Sequence, residues 1–175
     1  MNEKIKQELL SWVKPILFAL VLVFVCRYFI FTPKEVLGES MHPTYETSDK
    51  VMVSKLSTPK RFDIIIFHAP DSDEDYIKRV IGLPGDHVQM LNDQLLINGK
   101  KYNEPYLAEN KKMIPAIDNL TENFDEYVPK DKIFVLGDNR RDSKDSRFFG
   151  AINSDSVVGV VELRYFPFNK ISLTK

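Results

Sequence analysis

Two hydropathy patterns meet near residue 32. Residues 15–31 read PILFALVLVFVCRYFIF, apolar on every side of a helix and polar only at Arg27 and Tyr28 near the far end. A helix without a polar face has no soluble surface on which to lie, and about 17 residues is the lower limit for crossing a bilayer core. Trp12 and Val13 extend the run. Arg27 can snorkel to the nearer interface, and Trp12 and Tyr28 suit the two headgroup belts. The pattern predicts a polar segment 1–14, a transmembrane anchor over 15–31 and a compact domain over 32–175. Lys4, Lys6 and Lys14 stand before the run against Glu3 and Glu8. The positive-inside rule therefore puts 1–14 in the cytoplasm and 32–175 outside. A cleaved signal would end in a small-x-small site, whereas this run ends in Phe31-Thr32-Pro33, so a retained single-pass anchor is expected.

Beyond residue 32 no helical period is sustained. Short β-type runs recur instead at 51–53, 64–67, 76–81, 88–91, 95–97, 133–136 and 157–163. Leu83-Pro84-Gly85-Asp86 suits a type II turn, and Asn98-Gly99 suits a tight hairpin from Leu95-Leu96-Ile97 to Lys101-Tyr102. Many short strands joined by turns imply a mostly β sandwich or partly open barrel. Residues 103–132 are charged and punctuated by Pro105, Pro115 and Pro129, with too few apolar residues for a separate core, and are expected to form an insertion or surface excursion.

Charge and cysteine content narrow the function classes. The 24 basic and 25 acidic residues are dispersed, so no basic field marks a nucleic-acid partner. The one cysteine, Cys26, lies inside the apolar run and leaves the domain without an intrachain disulfide. Three scattered histidines without His-Glu-x-x-His offer no zinc set, so no metal and no cofactor is expected. The sequence sets no oligomeric state.

Unusual residue combinations gather in three places. Gly38-Glu39-Ser40-Met41-His42-Pro43-Thr44 is the first and Tyr76-Ile77-Lys78-Arg79-Val80-Ile81 runs through the second. The third is Gly137-Asp138-Asn139-Arg140-Arg141-Asp142-Ser143-Lys144-Asp145-Ser146-Arg147. A serine hydroxyl attacks only when a partner takes its proton. A lysine can be that partner if burial lowers its pKa from about 10.4 toward ~7–8. Lys78 sits in an otherwise apolar strand, and alternation sends Arg79 to the opposite face. Taken singly, a strand lysine faces solvent and a loop serine caps a turn; the joint pattern points to a dyad.

In that order, after an anchor, the three clusters resemble the sequence boxes of type I signal peptidases, in the single-anchor form of Gram-positive bacteria. The resemblance spans nearly the whole chain. It implies the β-fold that signal peptidases share with self-cleaving LexA-like repressors, and a membrane-bound serine endopeptidase that cuts secreted preproteins after Ala-x-Ala-like sites. By the same resemblance, Ser40 is the nucleophile and Lys78 the general base, and Ser143 supplies a hydroxyl that orients the lysine amine. Asp138, Asn139, Asp145 and Arg147 match positions that hold the dyad-bearing strands together. Arg140, Arg141 and Lys144 read equally as a surface salt-bridge cluster. Val36, Met41, Tyr76 and Ile77 match positions lining shallow apolar substrate pockets, or else pack the core. Partners implied are preproteins and membrane lipid. Gly38 stands where some members carry a hydroxyl for the oxyanion, leaving the second donor unassigned.

Other hydrolase designs fit less well. A Ser-His-Asp site lacks a Gly-x-Ser-x-Gly elbow, and His42, two residues from Ser40, would stand about 7 Å away on a strand. Ser57-Thr58-Pro59-Lys60 has the Ser-x-x-Lys spacing, but Pro59 spoils the helix that spacing needs. A repressor would carry a DNA-binding domain in place of the apolar run. A silent binding module on the same fold would not need to keep Ser40, Lys78 and Ser143 together.

Overall fold

The computed structural model describes residues 3–115 and 117–174. The side chains of Lys4 and Lys6, which enter the orientation argument, and of Cys26 lie outside the described residues. The apolar run forms a helix, α1 (Glu3–Val25), that continues as a π-helical turn over Cys26–Ile30. The stretch Ser11–Ile30 has a mean hydropathy of 2.1 and is not buried against the rest of the chain, so it is long and apolar enough to cross a membrane. Pro15 lies inside α1 instead of opening it, as prolines in membrane helices commonly do. Phe31, assigned to the helix from its hydropathy, instead opens strand β1 (Phe31–Glu35), where it pairs with Ser54.

Two antiparallel sheets make the domain. The larger joins β1, β2 (Lys50–Ser54), β3 (Ile64–His68), β4 (Asp75–Gly82), β9 (Lys132–Leu136), β10 (Ile152–Asn153) and β11 (Val157–Phe166) in the order β1-β2-β11-β3-β4-β9-β10, with β12 (Ser172–Leu173) paired to β11. The smaller holds β5 (His87–Leu91), β6 (Gln94–Ile97), β7 (Lys100–Tyr102) and β8 (Phe124–Tyr127), in the order β7-β6-β5-β8. Asn98-Gly99 forms the predicted hairpin turn, both residues at positive φ (53° and 75°), a conformation these residue types tolerate.

The unbroken apolar run of β3 has its explanation in burial on both faces. Ile64 and Ile66 join Val36, Met41, Val51, Val53 and Ile77 in one core, while Ile65 and Phe67 join Val80, Ile133 and Val135 in another. A third core, built on Ile81, Val88, Leu95, Phe134 and Leu136, lies under the smaller sheet.

Residues 103–132 are more than a surface excursion. A turn of 3₁₀ helix (Pro105–Leu107) leads into α2 (Ala108–Lys112), and then β8 joins the smaller sheet. Leu107, Asn110, Leu120, Thr121 and Val128 are buried. The segment packs through a few isolated side chains with no common period, so hydropathy did not reveal it.

Candidate active site

The sheet itself places the lysine. Lys78 pairs with Ile65 of β3, and the side chain is 4% exposed. Its Nζ lies 2.7 Å from Ser40 Oγ, 3.0 Å from the Ile77 carbonyl, and 5.3 Å from the centre of the Tyr76 ring. Burial lowers the Lys78 pKa to about 8, against the opposing pull of Asp145 and Asp138. Burial thus leaves an amine that can give up its proton near pH 8 beside a serine hydroxyl.

Arg79 points the other way, as strand alternation requires. Its Nε and Nη2 donate to the Asp138 carboxylate at 2.8 and 2.6 Å, and its guanidinium stacks 3.9 Å from the centre of the Tyr106 ring. Asp138 is fully buried and also accepts from Thr44 Oγ1 at 2.5 Å. One carboxylate therefore ties β4, the loop after Ser40 and the turn after β9. Arg140 is buried too, ion-paired with Glu104, so it is not part of a surface cluster. Arg141 and Lys144 are the exposed members, paired with Asp118 and Asp71.

The serine stands on a loop without strand partners. Gly38, at φ 83°, turns the chain out of the β1 direction. The loop is held by His42 N–H donating to Glu39 O, by Asn139 N–H donating to Ser40 O at 3.0 Å, and by Asn139 Nδ2 donating to Glu39 O at 3.2 Å. Asp145 caps the short helix α3 (Ser146–Phe149) and accepts from Gly137 N and from Arg147 Nε and Nη2. Arg147 also reaches the Arg140 carbonyl, closing the loop on itself.

Gly137 is a position whose role sequence reading missed. A Cβ there would collide with Ser143 Oγ and come within 2.5 Å of Ser40 O, so both functional loops converge on a residue with no side chain. Ser143 Oγ is buried and, among the described residues, has no hydrogen-bond partner.

A cleft of about 480 Å³ opens beside the pair, lined by Lys34–Leu37 on one side and Glu74–Lys78 on the other, with Ser40, Ile66 and Lys144. Val36, Tyr76 and Ile77 are among its lining residues. Met41 is not: it is fully buried in the core that includes Val36 and Ile77, because its side chain points inward from the serine loop. No histidine lines the cleft; His68 and His87 pair with Asp75 and Asp125. Phe149 packs on the rings of Phe67 and Tyr76, while Phe148 is exposed.

The family described as "Signal peptidase, peptidase S26" matches residues 9–166. The chain belongs to that family. It is 47% identical to the signal peptidase I P of Bacillus subtilis subsp. natto, over 97% of this chain and 96% of that one. It is 43% identical to the signal peptidase IB of Staphylococcus aureus, over 94% and 93%. The solved structure of a signal peptidase I from Enterococcus faecalis V583 is similar at a TM-score of 0.58 and 42% identity, covering 59% of this chain and 97% of that one. Family membership makes the chain a membrane-bound serine peptidase acting on the signal peptides of preproteins, with an apolar N-terminal helix fit to anchor it.

Proposed function

We propose that Ser40 and Lys78 carry out the cleavage as an acyl-enzyme pair. The observation that carries this is the 2.7 Å approach of a buried amine to the serine hydroxyl. Neutral Lys78 takes the Ser40 proton as Oγ bonds to the scissile carbonyl carbon. The ammonium then returns that proton to the departing amine as the C–N bond breaks. Lys78 next deprotonates a water, which attacks the ester, and Ser40 is released with its proton restored. The Ser40 N–H takes no part in the hydrogen bonds of its own loop among the described residues, and is assigned to the oxyanion. Ser143, whose hydroxyl has no partner among the described residues, is assigned to engage the Lys78 amine once substrate is bound, while Asp138, Asn139, Asp145 and Arg147 keep the loops in place.

The substrate lies extended in the cleft. Among the described residues, only β3 pairs with the 75–78 half of β4; β9 begins pairing at Arg79. The other edge of that half-strand therefore offers free backbone groups to a peptide, facing the β1 side of the cleft, as in strand addition. Val36, Tyr76 and Ile77 bound shallow apolar pockets suited to Ala-x-Ala. The Lys-rich N-terminus is assigned to the cytoplasm and the domain to the outer face, with a single pass.

The test is cleavage of an Ala-x-Ala preprotein by the detergent-solubilised full chain, with products identified by mass spectrometry. A cut after the second alanine, lost in Ser40→Ala and Lys78→Ala and kept in His42→Ala, is expected. Loss in His42→Ala together with retention in Lys78→Ala would overturn the dyad. Protease accessibility of 32–175 in sealed cells tests the orientation.

A further inference from the structure

The segment joining β7 to β8 carries a buried polar side chain that the reaction does not use. Asn110 of α2 is 6% exposed, and its Nδ2 donates to His42 O at 3.0 Å and to Asp138 O at 2.9 Å. Both acceptors are backbone carbonyls. One belongs to the loop that carries Ser40, the other to the turn that grips that loop through Asn139 N–H and Ser40 O. The two hydrogens of a carboxamide thus cross-link the two loops from behind.

The two halves of the dyad are held by different means. Lys78 is fixed by strand pairing in the larger sheet. Ser40 is on a loop whose carbonyls must find partners elsewhere, because buried backbone groups do not go unpaired. Asn110 supplies one of those partners, to His42 O, and with its other hydrogen holds the Asp138 carbonyl of the turn that grips the loop. The helix that carries it is tied to the smaller sheet by Lys111 Nζ donating to Asp93 O in the β5–β6 turn. The smaller sheet, which contributes nothing to the cleft, reaches the nucleophile along this route.

We infer that Asn110 is a positioning residue for catalysis, setting where Ser40 stands relative to Lys78 by pinning the His42 and Asp138 carbonyls. This rests on the assignment of Ser40 and Lys78. Asn110 neither lines the cleft nor contacts the dyad, so its removal displaces Ser40 and leaves the rest of the cleft lining and the strand that holds Lys78 in place. A misplacement near 1 Å costs on the order of 10²-fold in rate.

The experiment compares the full-length Asn110→Ala, Asn110→Asp and Leu107→Ala enzymes with wild type, each normalised to folded protein by thermal melting. Asn110→Ala is expected to lower kcat by about 10- to 100-fold with KM within about twofold of wild type. The acid limb of its pH–rate profile should stay where wild type has it, since the burial and the Asp145 and Asp138 charges that set the Lys78 pKa do not depend on Ser40. Asn110→Asp, whose carboxylate cannot donate, should be at least as slow. Leu107→Ala should lose thermal stability yet keep kcat. Unchanged kcat in Asn110→Ala, or an equal fall in Leu107→Ala, overturns the inference. If Asn110→Ala does not fold, Asn110→Ser, which keeps one donor, replaces it; failure of both makes Asn110 a folding residue and equally overturns it. Activity retained by Ser40→Ala would instead sink the dyad assignment, independently of Asn110.

Discussion

Lys78 and Arg79 are neighbours on one strand, yet only Arg79 has a carboxylate: its guanidinium holds Asp138 by two hydrogen bonds, while the Lys78 amine faces a serine hydroxyl. Alternation separates the two cations, so Asp138 neutralises the one that must stay charged and leaves the other free to lose its proton.

Asp138→Asn is therefore expected to act twice. It strands a buried guanidinium, which should cost about 3–5 kcal/mol of stability. It also removes one of the charges that hold the Lys78 proton on, so the acid limb of kcat/KM, set near pH 8 by Lys78 in wild type, should move to lower pH. Melting curves and pH–rate profiles of the same preparation check both. A limb moving to higher pH would contradict the electrostatic account.

The depressed lysine pKa is also a statement about stability. Below pH 8 the folded protein holds a proton on a buried amine that the unfolded chain, titrating near 10.5, accommodates freely. A shift of this size corresponds to about 3 kcal/mol of destabilisation, fully present below pH 8 and lost as pH rises toward 10.5. Lys78→Met, which cannot be charged, should be inactive and should melt higher relative to wild type at pH 7 than at pH 10. A difference in melting temperature that does not change with pH would show that the amine is not strained by burial.

The fold could be read from sequence because its signals are local. An all-round apolar run and β-type runs with Gly and Pro turns each carry their meaning within a few residues, whereas Ser40 and Lys78 stand out only through the order of three clusters along nearly the whole chain. Strand β1 was hidden because the one apolar residue of FTPKE, Phe31, reads as the end of the helix; it is an edge strand, where Pro33 costs no ladder bond. The partners of Asp138 were hidden for a different reason. Arg79 is 59 residues away in sequence and Thr44 is 94, and no periodicity links them. For Met41 the resemblance left two readings, pocket lining or core packing, and inward packing is the one the structure shows.

Gly137 should tolerate no side chain. In Gly137→Ala the new methyl must displace the Ser40 carbonyl or the Ser143 side chain, and overpacking of this kind costs about 1–3 kcal/mol. Because both displaced groups belong to the site, kcat should fall on the order of 10²-fold even in the fraction that folds, measured by single-turnover cleavage. Near-normal turnover would mean that the two loops can part without consequence.

Ser143 separates a catalytic from a structural role more sharply than any other position. A buried hydroxyl without a partner costs about 1–3 kcal/mol, so the resting enzyme gains nothing in stability from it. Ser143→Ala should leave the melting temperature unchanged or raise it. If the hydroxyl engages the Lys78 amine once substrate is bound, the same substitution should lower kcat by about 10- to 100-fold, with KM little changed. Ser143→Thr keeps the hydroxyl but must fit a methyl beside Gly137, so partial activity with lowered stability is expected. A Ser143→Ala enzyme that is less stable and fully active would reverse the assignment, making the hydroxyl part of the loop's architecture instead of its chemistry.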